Sequence, residues 1–96
     1  MKIAKVVGVA ICTVKEPRLE NSKLLIVSNT DQTGKIIGDP YIAQDVVGVG
    51  PDELVIVVEG SSARVAAWDV NAPVDAVIVG ILNSIQFDGQ TTFKKH

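Results

Sequence analysis

Ninety-six residues totalling 10.2 kDa accommodate one folded unit, a single domain over residues 1–96, and exclude a cofactor domain joined to a substrate domain. Hydrophobic residues make up 47% and charged residues 21%, so the chain buries a core and is not a disordered polymer. A formal net charge of −2 with 4% aromatic residues opposes a nucleic-acid binder, which needs a basic patch or a base-stacking platform.

Val and Ile number 26 against 5 Leu, and branching at Cβ favours strands over helices. Residues 2–14 form the first apolar run. Ile3, Val7, Val9 and Ile11 fall on one face of a strand, and Ala4, Val6, Ala10, Cys12 and Val14 on the other. Such a strand is expected to be covered on both sides, with Gly8 marking a bend. The charged, Pro-containing residues 15–22 read as an exposed loop and 23–29 as a second strand. A polar turn at 31–35 precedes a third strand at 40–47, and Gly48-Val49-Gly50-Pro51-Asp52-Glu53 is a tight turn. Residues 54–59 give a fourth strand, and a short helix is expected over 60–68 with a Ser N-cap. Residues 76–87 read as one long fifth strand. Asp88-Gly89 is a hairpin signal that returns the chain through 90–93. The expected fold is all-β: a small closed barrel of five main strands, OB-like, with one short helix and a C-terminal β-hairpin extension. Closure removes the edges that an open sheet would expose.

The chemistry-bearing residues are sparse. Cys12 reads as a buried small hydrophobe in mid-strand, since the only histidine, His96, is the last residue and leaves no Cys–His dyad. One Cys and one His supply no structural zinc site, and no cofactor is expected. Gly48-Val49-Gly50 runs into an acidic pair and a strand, which is a turn and not a phosphate loop. The carboxylates Asp45, Asp52, Glu53, Asp69 and Asp75 show no spacing that fixes an acid–base pair, so no catalytic residue is assigned. Gly60-Ser61-Ser62-Ala63-Arg64 combines hydroxyls, backbone N–H groups and an arginine at a helix start. Arg64 and Trp68, at i and i+4, share a helix face of the kind that anchors interfaces. A single cysteine, no apolar leader in residues 1–5 and no run near the ~18 residues of a membrane span lead to the expectation of a soluble cytoplasmic protein that self-associates, without membrane partners.

Several stretches together resemble the EutN/CcmL family of bacterial microcompartment vertex proteins. They are Met1-Lys2-Ile3-Ala4-Lys5-Val6-Val7-Gly8 and Thr13-Val14-Lys15 followed by Lys23-Leu24-Leu25. The run Ala43-Gln44-Asp45-Val46-Val47-Gly48-Val49-Gly50-Pro51-Asp52-Glu53, leading to Gly60-Ser61-Ser62-Ala63-Arg64, and Pro73-Val74-Asp75-Ala76-Val77-Ile78-Val79-Gly80-Ile81 complete it. Leu54 stands where the family often has Trp, Val49 where Ala is common and Asn83 where Asp is frequent. The resemblance implies a homo-pentamer that closes the vertices of a polyhedral shell of hexameric proteins around encapsulated enzymes, within the cytoplasm. It implies no enzymatic activity and no nucleic-acid partner, and it leans toward the ethanolamine-type metabolosome over the carboxysome. Gly60, Ser61, Ser62 and Arg64 are expected near the ring interface or axis, with Asp45 and Asp75 as polar partners. The loop at 16–22 and the turn at 31–35 are candidates for contacting hexamers. The alternative is an OB-like binding module for single-stranded nucleic acid or oligosaccharide, which the charge and aromatic content oppose.

Overall fold

The computed structural model describes residues 1–13, 17, 23–60, 63 and 74–95. Its strands are β1 (Lys2–Ala10), β2 (Lys23–Asn29), β3 (Tyr41–Asp45), β4 (Leu54–Glu59), β5 (Ala76–Ile81), β6 (Ser84–Phe87) and β7 (Gln90–Lys94). The first five close into a barrel in the order β1-β2-β3-β5-β4, and β6 and β7 form a separate two-stranded sheet. All barrel seams are antiparallel except β3–β5, which is parallel and joins Gln44 to Val77 and Asp45 to Ile78. The expected barrel with a C-terminal hairpin is what the chain adopts.

Side chains alternate across a strand, so every second β-branched residue points inward. Ala4, Val6, Leu25, Val27, Ala43, Val55, Val57 and Ile78 meet there as the core. Tyr41 packs against this cluster and donates its hydroxyl hydrogen to Asn29 Oδ1 at 2.6 Å. A second, smaller cluster of Val58, Ala63, Val74 and Val77 lies on the other face of β4 and β5. Leu54 and Val49, two of the positions that depart from the family pattern, are both buried, so the smaller or larger side chain has been packed around.

Five expectations need correction. The first strand stops at Ala10, because its partner Leu24 is one residue from the end of β2 and the ladder runs out. Ile11 and Cys12 are therefore exposed, and Cys12 is not a core hydrophobe. The two faces of β1 are not those a regular strand would have. Val6 opposes Val27 and Gly8 opposes Ile26, leaving Val7 as the extra residue of a bulge. Beyond it the phase flips: Val9 opposes the buried Leu25 at the barrel mouth, and Gly8 and Ala10 face outward.

The third strand is shorter than 40–47, since the chain turns away at Val46, where backbone N–H groups fold back onto the Asp45 carboxylate. The fifth strand is also not continuous to residue 87. The Leu82 N–H donates to the Leu54 carbonyl, which begins β4, so no barrel partner remains for the residues beyond it. The chain leaves at Leu82-Asn83 and Ser84–Phe87 starts a new sheet. Its turn is the one Asp88-Gly89 promises, with both residues at positive φ, 53° and 76°. The expected helix falls almost wholly outside the described residues; Ala63 is helical and buried.

Candidate functional site

Asp45 ends β3 with a carboxylate whose side chain is 1% exposed. Its Oδ1 accepts the N–H groups of Val47 and Gly48, both at 2.9 Å, and Oδ2 accepts the Val49 N–H at 2.8 Å. The Lys23 ammonium lies 3.8 Å from Oδ2 and donates to the Val49 carbonyl at 3.3 Å. A carboxylate that accepts three backbone donors beside a cation holds the loop in one shape. The resulting turn buries Val49 and leaves Val46 and Val47 exposed. The Gly-rich segment thus serves its own carboxylate and presents no ring of free N–H groups to a phosphate.

Gly60 follows β4 at φ 67°, and its N–H donates to the Asp75 carbonyl at 2.9 Å. The fold therefore brings Gly60 and Asp75 together, where β4 stops and β5 starts. Asp45 is placed farther along β5, opposite Ile78. Lys2 pairs with Glu59 at 3.3 Å beside Gly60 in sequence. Ser61, Ser62 and Arg64, the remaining members of the candidate set, lie outside the described residues, as do Trp68 and all of 16–22 except Pro17. The turn at 31–35 is built by Asp31, whose Oδ1 accepts from the Thr33 N–H at 2.8 Å, the Thr33 hydroxyl at 2.6 Å and the Lys35 N–H at 3.1 Å. Those bonds, the Thr33 hydroxyl first, hold the Asp31 carboxyl below the ordinary aspartate value.

Among the described residues, two hollows are largely aliphatic. One of about 300 Å³ at the barrel mouth is lined by Val6, Val9, Leu25, Val49 and Pro51, with Lys23 and Asp52 at its side. A groove of about 380 Å³ beside β1 is lined by Met1, Lys2, Ile3, Ile56, Leu82, Ser84 and Ile85. Neither sets a base beside a nucleophile. Among the described residues no three His, Cys, Asp or Glu side chains gather as metal ligands, and no helix is long and apolar enough to cross a membrane.

What the surface does offer is aliphatic. Leu25, Val27 and Ala43 point into the core, so Leu24, Ile26 and Ile42 face outward from β2 and β3, where Ile42 is 53% exposed. Ala4 and Val55 point inward, so Ile3 and Ile56 face outward from β1 and β4. The sequence signals strands apolar on both faces; which face stays uncovered depends on the bulge and the hairpin, neither of which periodicity reveals.

The family model described as "Ethanolamine utilisation protein EutN/carboxysome" matches residues 1–83. This chain belongs to the EutN/CcmL family. It is 40% identical over 95 residues to the bacterial microcompartment shell vertex protein EutN of Escherichia coli K12, covering 99% of this chain and 100% of that protein. It is 36% identical over 96 residues to the carboxysome shell vertex protein CcmL of Nostoc sp. PCC 7120, covering 99% and 95%. The solved Nostoc CcmL structure superposes with a TM-score of 0.91 over 99% of this chain and 100% of that one. The pentameric microcompartment shell protein GrpN of Rhodospirillum rubrum is 34% identical with a TM-score of 0.82, covering 91% and 99%. EutN/CcmL membership thus reaches through the barrel, while the family model itself stops one residue before β6.

Proposed function

We propose that this chain is a structural vertex protein of a bacterial microcompartment: five copies close into a ring, and the ring caps a corner of the shell in the cytoplasm. The observation that carries this reading is near-complete coverage of shell vertex proteins at 36–40% identity, together with the fold of a pentameric shell protein at a TM-score of 0.82. The chain acts by geometry and is not an enzyme. Hexamers tile a flat layer, and a five-fold unit supplies the curvature that closes it. The slightly higher identity to EutN than to CcmL supports a metabolosome shell over a carboxysome shell.

In this reading Gly60, Ser61, Ser62 and Arg64 line the ring interface or axis, Asp75 and Asp45 lie near it as polar partners, and hexameric shell proteins meet the ring's outer rim. Arg64→Ala is expected to weaken ring assembly. Native mass spectrometry tests the ring directly: a species of five 10.2 kDa chains is expected, and a 10.2 kDa monomer at micromolar concentration refutes it. Co-expression with hexameric shell proteins then gives closed particles, whereas omission of this chain leaves open sheets or tubes.

A further inference from the structure

The barrel is closed, yet the β1–β4 seam runs along only part of β1. β4 pairs with β1 from Lys2 to Lys5, and the Val6 N–H and carbonyl still reach Glu53 and Asp52. Beyond Val6, the segment that would continue the seam is occupied with itself. The Val47, Gly48 and Val49 N–H groups go to the Asp45 carboxylate, and the Gly50 N–H goes to Glu53 Oε2 at 3.3 Å. Pro51 has no N–H at all. Residues 47–51 therefore offer β1 no donor, while β1 itself runs on to Ala10.

The ladder decides which backbone groups face the gap. Alternate residues of a regular strand point to the same neighbour, so Gly8 would follow Val6. The bulge at Val7 delays the alternation by one residue and puts Val9 there instead. Among the described residues no backbone group meets the Val9 N–H or carbonyl across the gap. Val9 is 56% exposed, and its side chain borders the hollow of about 300 Å³ together with Val6, Leu25 and Val49. Opposite charges mark the two ends. Asp52 stands at the Val6 end, where its N–H donates to the Val6 carbonyl. Lys23 stands at the Ala10 end, one residue before Leu24, the partner of Ala10. Its side chain is 55% exposed and lies 3.8 Å from Asp45, which leaves room for a second carboxylate.

An open donor and acceptor on a strand edge are satisfied by another strand, and an adjoining pocket selects one of its side chains. We infer that this gap receives an extended peptide of a partner protein, added antiparallel along β1 with an aliphatic residue opposite Val9. An acidic residue two places before the aliphatic one then faces Lys23, and a basic residue two places after it faces Asp52. The residues between them point away from the barrel mouth. The inference does not rest on ring formation. The gap lies before Leu54 at one end of β4, whereas the candidate ring residues begin at Gly60, past the other end.

The test adds the peptide acetyl-Glu-Thr-Val-Thr-Lys-amide to the whole chain and follows backbone amides by NMR and hydrogen exchange. A saturable shift of the Val9 amide is expected, with its exchange slowed roughly tenfold or more at saturation. N-methylation of the central valine of the peptide removes a backbone donor and keeps the side chain, so binding is expected to vanish. Interchange of the terminal Glu and Lys should weaken binding, and high salt should erase that difference. An N-methyl peptide that binds as well as its parent reveals an apolar hollow only and overturns strand addition. No response at Val9 overturns it as well. If the Val9 amide is then already protected without peptide, the gap is filled by the chain's own segment or by a second copy. Native mass of the same sample reports the ring separately, so failure here leaves the vertex reading standing.

Discussion

The Lys95 ammonium stands 2.6 Å from Glu53 Oε1, joining the end of the C-terminal hairpin to the turn before β4 across 42 positions of sequence. The Lys95 N–H reaches back to the Asn83 carbonyl at 2.7 Å, and the Thr92 hydroxyl donates to the Gln32 carbonyl at 2.6 Å. A lone two-stranded hairpin is marginal in water, so these ties, with Phe93 lying over Gly34, decide whether β6 and β7 stay on the barrel.

That tie is pH-dependent with a definite sign. The hydrogen bond from Lys95, followed by that from the Gly50 N–H, holds the Glu53 carboxyl below the 4.5 of a free glutamate. Because the folded state binds this proton less tightly than the unfolded chain, its contribution is complete above about pH 4.5 and fades as acid carries the pH through the lower folded value. The Gly50 amide and the Lys95 Nζ resonances should titrate together with a midpoint below 4.5. A midpoint at or above it refutes the pairing in solution, and Glu53→Gln should abolish the shared titration.

Asp45→Asn retains the shape of the side chain and removes one of its two acceptor atoms. Either the Val49 N–H or the Val47 and Gly48 pair then faces an NH2 group, donor against donor. A buried bond to a charged acceptor contributes about 1.5–3 kcal/mol, so the loss is expected in that range. Urea unfolding at fixed protomer concentration reads it, since assembly would otherwise shift the midpoint. An unchanged midpoint means that the loop is held by something else.

Gly34 and Gly48 both have positive φ, 88° and 83°, but their surroundings differ. A Cβ at Gly48 meets nothing within 4 Å, whereas one at Gly34 would lie 3.3 Å from the Phe93 ring. Gly48→Ala should cost about 1–2 kcal/mol from backbone strain alone. Gly34→Ala should cost more, and the surplus should appear as faster amide exchange in β7. Equal costs, with β7 protection untouched, would show that Phe93 does not press on this turn.

Tyr41→Phe removes the bond to Asn29 and should destabilise the barrel by about 1 kcal/mol. Burial, then the charge of Glu59, pushes the Tyr41 phenol above the usual 10.0. The neutral phenol is therefore favoured by folding. Its contribution is intact below pH 10 and is lost as the pH rises through the higher folded value. Ultraviolet titration of Tyr41, the only tyrosine, checks this: ionisation at or below 10.0 contradicts the buried setting.

The barrel is legible in the sequence because β-branched residues alternate inward at Val6, Val27, Val55 and Val57, and because Asp88-Gly89 is a turn that few other structures accept. Strand ends are not. Nothing local stops β1 at Ala10 or breaks the run at Leu82; each ends where a partner strand ends, which is a tertiary fact. Gly8 hints at the bulge beside Val7, yet its consequence, Val9 turning toward Leu25, depends on the register alone. Within the candidate site, Gly60 stands out through the hydroxyl-rich segment it opens and Asp75 through the family resemblance; the hydrogen bond that joins them is a backbone bond that no side-chain pattern encodes. Asp45 looks like any surface carboxylate, and the three N–H groups that converge on it come from the very glycine-containing turn that resembles a phosphate loop.

The parallel seam between β3 and β5, with pairing at Gln44–Val77 and Asp45–Ile78, acts as the clasp of the barrel. It joins parts of the chain that are far apart in sequence, and such contacts form slowly because loop closure must precede any reward. Until the clasp shuts, β3 and β5 are open edges on a newly made chain, and open edges recruit other strands. Folded barrels and aggregates therefore diverge early: the yield of folded chain is set by a race between intramolecular closure at residues 44–45 and 77–78 and collision with a second unfinished chain, and slow synthesis or dilution favours the former.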